Sequence, residues 1–199
     1  MHLLMITGFL GSGKTTVALQ LASACIQQGR KIAILVNEIG EVGIDGELMR
    51  ELEVNVYEMA NGCICCTLAG DLVPTLEKLD QEYDVDLVLM EPSGAAEPGS
   101  ILNLLQYYKG RPLESVSTAA VLDPLRLREL YEVVTPLITK QIKNADLLLI
   151  NKADAATEEQ LQDVYRIVEE VKPEARYFLV SAREGLGNEL LKEILPWKD

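Results

Sequence analysis

The chain alternates short apolar runs with longer stretches in which apolar residues recur every three or four positions. Compact apolar runs read as buried strands, and the longer period reads as helix. Strands are expected at His2–Thr7, Lys31–Val36, Asn55–Met59, Asp86–Met90, Val116–Leu122, Leu147–Ile150 and Tyr177–Val180. Helices are expected at Thr16–Cys25, Glu47–Leu52, Leu68–Gln81, Gly99–Tyr108, Leu125–Val134, Pro136–Asn144, Thr157–Val171 and Leu186–Leu195. In the third of these, Leu68, Leu72, Val73, Leu76 and Leu79 form the stripe. Thr157 caps its helix, with Glu158 to Gln160 filling the first turn. Apolar strands alternating with helices argue for an α/β fold: three layers, with a mostly parallel central sheet covered on both faces. No repeat or linker interrupts the pattern, and 199 residues suit a single domain over 1–199. The loops rich in glycine and carboxylates all follow strands. They should therefore gather along one edge, where open α/β sheets bind ligands.

The first of those loops, Gly8-Phe9-Leu10-Gly11-Ser12-Gly13-Lys14-Thr15, fits Gly-x-x-x-x-Gly-Lys-Ser/Thr between an apolar strand and a helix. That context makes it a phosphate cradle. Its glycines let backbone N–H groups converge, and the helix that Thr16 continues adds the positive end of its dipole. Lys14 would reach the outer phosphates, and the Thr15 hydroxyl would hold Mg²⁺. A second loop, Asn151-Lys152-Ala153-Asp154, carries a carboxylate suited to guanine, whose ring N–H and exocyclic amine offer two donors. Adenine cannot match that pair, and a site built for it rejects the wrong base by orders of magnitude. Asp154 is assigned that role. The Lys152 stem lies along the base, Asn151 ties this loop to the phosphate loop, and Ser181-Ala182 offers a backbone N–H to the guanine oxygen.

Glu91-Pro92-Ser93-Gly94 closes another strand. Gly94 can bring its N–H to the terminal phosphate, and Glu91 can hold Mg²⁺ through water or orient the attacking water. Glu38, Glu41 and Asp45 flank glycines in an earlier loop, and any of them can complete the Mg²⁺ shell or orient water. Cys63, Cys65 and Cys66 place three thiols within four residues of a loop. Such a set favours a soft or borderline ion: Zn²⁺ first, with Cu(I), Co²⁺ or Ni²⁺ as alternatives. The fourth ligand is water, a carboxylate such as Glu41, or a group from a second copy in a homodimer. His2, at the far end of the first strand, is read as structural or exposed, and Cys25 as a small buried apolar residue.

A formal charge of −13 speaks against free nucleic acid or an anionic membrane as partner. No apolar run reaches the roughly 18–20 residues of a membrane span. The start of the chain lacks a basic leader, so a cytoplasmic, reducing setting is expected.

In this order, GFLGSGKTT, NEIGEVGID, NGCICCTLAGDL, EPSG and NKAD resemble the CobW-like GTPases, relatives of the HypB and UreG metallochaperones. The resemblance runs from Met5 to about Ala182, and NGCICC is its most specific piece. It implies a phosphate-loop GTPase with a slow intrinsic rate. It also implies a transition metal at Cys63, Cys65 and Cys66, delivered to a recipient metalloenzyme or its maturation factor with GTP hydrolysis. Lys14, Thr15, Glu91, Gly94, Asn151, Lys152 and Asp154 match the family's functional positions. Three features depart from it: a C-terminal domain and a histidine-rich stretch are not expected in 1–199, and Pro92 stands where many relatives have Thr. Two other readings stay open at this level, a GTP-gated adaptor or metal sensor without catalysis, and a phosphate-loop ATPase or kinase.

Overall fold

Leu3, Leu4, Met5 and Ile6 are all buried, so the first strand, β1 (His2–Gly8), is covered on both faces. The structure, a computed structural model, describes residues 1–36, 55–58, 67–94, 97–195 and 197, with backbone alone for 55–58 and 67–71. The other strands are β2 (Ile32–Val36), β3 (Asn55–Glu58), β4 (Leu87–Glu91), β5 (Ser115–Leu122), β6 (Leu147–Ile150) and β7 (Tyr177–Leu179). They form one sheet in the order β3-β2-β4-β1-β5-β6-β7. Every neighbouring pair is parallel, so all these strands end at the same edge. The helices are α1 (Lys14–Gln27), α2 (Thr67–Lys78), α3 (Pro98–Leu104), α4 (Leu127–Asn144), α5 (Glu158–Val171) and α6 (Asn188–Ile194).

Side-chain alternation along β1 divides the core. Leu4 and Ile6 pack with Val17 and Leu21 of α1 and with Leu190 and Ile194 of α6. Leu3 and Met5 pack on the other face with Leu72, Leu76 and Ile101. The register pairs Thr7 with Ala120, which puts Ala120 on this second face, where it packs with Ile138 and Ile142 of α4 and Val164 of α5. These are the two helical layers and the parallel sheet that the pattern predicts. Among the described residues no helix is long and apolar enough to cross a membrane.

Helix boundaries differ in places from the sequence reading. α2 ends at Lys78 and passes into a π-helical turn, Leu79–Tyr83, whose wider winding buries both Leu79 and Asp80. α3 is shorter than expected and runs out through a 3₁₀ turn, Leu105–Tyr107. The two helices expected before and after residue 135 are both present within α4, on either side of a break at Val134 (φ −129°, ψ 38°) two residues ahead of Pro136. A proline ring crowds the preceding turn and removes an N–H, so the axis bends there. Thr67 belongs to α2 rather than to the loop before it. The expected short helix 47–52 and the cysteine loop 61–66 lie outside the described residues.

Cys25 and His2 fall where they are expected. Cys25 is fully buried in α1, and burial pushes its thiol up to about 12. His2 bonds Ser115 Oγ through Nδ1 at 2.9 Å and meets the Trp197 ring edge-on. It stands at the start of β1, at the opposite end from Gly8. Burial pushes its pKa below the usual histidine range, against the pull of Glu114.

Candidate functional site

Three loops that the sequence singles out meet at the C-terminal edge of the sheet. The phosphate loop leaves β1 at Gly8 and enters α1 at Lys14. Gly13 is left-handed (φ 95°), and a Cβ added there would stand 2.3 Å from Asn151 Nδ2. Only glycine fits, because the side chain of the second loop already occupies that space. Asn151, itself buried, donates from Nδ2 to the Ser12 carbonyl at 2.8 Å, and its Oδ1 accepts from the Ala182 N–H at 2.9 Å. One side chain thus locks the phosphate loop, the loop after β6 and the loop after β7 together. The Ala182 N–H is thereby engaged with Asn151 rather than turned to a base.

Lys152 has a left-handed backbone (φ 61°), and its ammonium bonds the Gly11 carbonyl and Asp123 Oδ2, each at 2.7 Å. Ala153 N–H bonds the Val180 carbonyl at 3.1 Å, and the next residue, Asp154, is exposed. An exposed carboxylate thus stands two residues after a lysine whose ammonium is anchored on the phosphate loop.

Lys14 is buried, with Nζ donating to the Phe9 carbonyl at 3.3 Å and lying 3.8 Å from Glu91 Oε1. Thr15 Oγ1 donates to that same Glu91 oxygen at 2.9 Å. Hydroxyl and carboxylate oxygens form the donor set that Mg²⁺ selects. Two neighbouring ligands of an octahedral Mg²⁺ with bonds of about 2.1 Å stand roughly 3 Å apart. The Thr15–Glu91 pair therefore fits the ion, either directly or with one oxygen held through water. Thr16 is exposed one residue further on. Gly94, at the end of the third loop, presses against the phosphate loop: an added Cβ would lie 2.8 Å from Leu10 N and 3.2 Å from the Phe9 carbonyl carbon.

The hydroxyl oxygens of Ser12, Ser93 and Ser181 are buried without a hydrogen-bond partner among the described residues. Buried polar atoms are seldom left so. These three belong to the phosphate loop, the loop after β4 and the loop after β7, so a polar ligand at this edge is what the arrangement fits.

Cys63, Cys65, Cys66, Glu38, Glu41 and Asp45 lie outside the described residues. The structure adds three residues that motif reading passes over. Asp123, buried at the end of β5, pairs with Lys152 and accepts from Leu125 N–H at 3.0 Å. Arg126 donates to the Leu10 carbonyl at 3.3 Å. Gln141, buried in α4, donates to the Gly94 carbonyl at 3.1 Å. A signal for Asp123 exists in the sequence: it is a carboxylate directly after a buried strand, much as Glu91 closes β4.

Residues 2–179 match the family described as CobW/HypB/UreG, nucleotide-binding domain. The chain is 37% identical over 163 residues to the zinc chaperone YeiR of Escherichia coli (strain K12), covering 81% of this chain and 49% of that protein. It is 30% identical over 210 residues to the zinc-regulated GTPase metalloprotein activator 1 of Dictyostelium discoideum, covering 86% of this chain and 44% of that protein. The crystal structure of Zn(II)-bound YjiA GTPase from E. coli matches with a TM-score of 0.70 and 25% identity, over 96% of this chain and 60% of that one. The chain thus spans about half the length of the relatives it matches. With its parallel sheet, its phosphate loop and its Asn151 lock, the chain belongs to the CobW/HypB/UreG family, through the nucleotide-binding domain.

Proposed function

We propose that this chain is a GTPase domain that binds GTP with Mg²⁺, hydrolyses it to GDP and couples the cycle to delivery of a transition-metal ion. The observation that carries the nucleotide half is the Asn151 lock. It joins a phosphate cradle to a loop ending in an exposed carboxylate. In this reading the backbone from Gly8 to Thr16 and the Lys14 ammonium hold the phosphates, and Thr15 and Glu91 hold Mg²⁺. Bound there, the ion would offset phosphate charge. Gly94 approaches the outermost phosphate from the side of Phe9 and Leu10. Preorganised donors and positive charge lower the barrier to phosphoryl transfer mainly by electrostatics.

The metal is cargo in this reading, held by Cys63, Cys65 and Cys66 with Glu41, water or a second copy as fourth ligand. Support comes from the thiol spacing and from relatives named as zinc chaperones. Zn²⁺ is the first candidate, and the recipient is a metalloenzyme or its maturation factor in the cytoplasm.

The decisive measurement is affinity for GTP against ATP, with Asp154→Asn beside the wild type. We expect a GTP preference of about 10³ or more that the variant loses. Equal affinity for both nucleotides in the wild type would point to an ATPase or kinase instead. GTP binding without multiple turnover, with and without metal, would point to a GTP-gated sensor. Metal content of anaerobically purified protein, compared with Cys65→Ser, tests the cargo site.

A further inference from the structure

We infer that Gln141 is a positioning residue for the loop that senses the outermost phosphate: it holds Gly94 against the tip of the phosphate loop, with Lys140 securing Glu97 at the start of α3. The inference rests on the GTP reading above and adds to it a residue outside the recognised motifs.

Gln141 is 2% exposed and lies between Ile138 and Ile142, which are buried in the core beneath β5 and β6. A side-chain amide in such a place is costly unless it is hydrogen-bonded. Its amide donates to a backbone carbonyl 47 residues away, that of Gly94. Gly94 in turn is wedged onto the phosphate loop so tightly that a methyl group would strike Leu10 N. The preceding residue of α4, Lys140, pairs with Glu97 Oε2 at 2.9 Å, and Glu97 is the residue on which α3 begins. Two consecutive side chains of one helix therefore hold residues 94 and 97. At the other end of α4, Arg126 holds the Leu10 carbonyl. One helix grips both the phosphate-loop tip and the loop that faces it.

GTP and GDP differ only in the phosphate nearest that contact. A residue that fixes the Gly94 carbonyl should thus matter for GTP and little for GDP. A residue that merely stabilises the fold would affect both equally. The test uses Gln141→Met, which keeps the volume and removes the donor, and Gln141→Glu, which places a carboxylate oxygen against a carbonyl. Affinities for fluorescent GDP and for a fluorescent non-hydrolysable GTP analogue are measured for each, with thermal unfolding alongside.

We expect Gln141→Met to weaken the analogue about tenfold, the cost of one lost buried hydrogen bond, with GDP changed less than about twofold. Gln141→Glu should lose more in the same direction. Lys140→Ala breaks an exposed pair worth little to the fold. It should shift the GTP-to-GDP ratio about twofold in the same direction, and it carries the test if the buried variants unfold. An unchanged ratio in Lys140→Ala and in folded Gln141→Met overturns the inference, as does a parallel loss of both affinities. A wild type that binds neither nucleotide overturns the GTP reading itself, and a wild type that binds both with unaltered ratios in the variants overturns this inference alone.

Discussion

Asn151 concentrates more of the site in one side chain than any other residue described. Removing it leaves the Ser12 carbonyl and the Ala182 N–H buried and unpaired, each at a cost of about 1–3 kcal/mol. Asn151→Ala should therefore weaken GTP and GDP alike by about two orders of magnitude or more. Titration with fluorescent nucleotides checks this. Retained affinity would show that the phosphate loop keeps its shape unaided. The expected pattern differs from that of Asp154→Asn, which should alter base preference, and from that of Gln141→Met, which should alter phosphate preference. The role of Asn151 was legible because it lies inside a motif whose chemistry dictates a tie to the phosphate loop. For Asp123 the sequence offers a position, a carboxylate after a strand, but not the pairing, since its partner Lys152 lies 29 residues on.

The elements themselves follow local rules where those rules are strong. α5 begins with a full capping box: Gln160 N–H donates to Thr157 Oγ1 at 3.3 Å, and Thr157 N–H donates to Gln160 Oε1 at 2.9 Å. Thr157→Ala should cost about 1 kcal/mol, read as a lower denaturant midpoint with an unchanged slope. The Thr157 cap and the bend near Pro136 could be read directly from residue types. The π-helical end of α2 could not, because it depends on a distant partner. Asp80 is buried there and accepts from Arg111 N–H at 2.9 Å and from Arg111 Nε at 2.7 Å. Burial alone would raise the Asp80 carboxyl, but the Arg111 hydrogen bonds and charge prevail and hold it below the usual carboxylate range. A carboxyl depressed in the folded state stabilises above its unfolded pKa of about 3.9 and loses that contribution as pH falls through the folded value. Asp80→Asn should thus lower the unfolding midpoint by a few degrees at neutral pH. The gap should close in acid. A gap that stays constant down to about pH 3 would mean that the charge contributes nothing.

At the scale of the whole molecule, the parallel sheet decides which loops can communicate. Because every described ladder is parallel, each strand delivers the loop after it to one edge. This much could be read from the alternation of apolar runs and helical stripes. The order of the strands could not, since it is set by crossovers rather than by any single segment. The order matters for the proposed metal cargo. The chain leaves β3 at Glu58 and resumes in α2 at Thr67, and Cys63, Cys65 and Cys66 fall between the two in sequence. β3 lies three strand positions from β1, a distance of about 14 Å at ordinary strand spacing, with Glu91 at the end of the intervening β4. The proposed function has nucleotide state bias metal binding through a rearranged turn. If so, Zn²⁺ affinity should differ by about tenfold between the GTP-analogue and GDP states, a coupling of roughly 1.4 kcal/mol. Linkage then requires Zn²⁺ to shift the affinity for the GTP analogue by the same factor. Calorimetric titration in both orders measures the two factors independently. Cys65→Ser should abolish both while leaving metal-free GTP-analogue binding intact. Equal Zn²⁺ affinity in the GTP-analogue, GDP and nucleotide-free states would separate the two proposed functions and leave them without shared free energy.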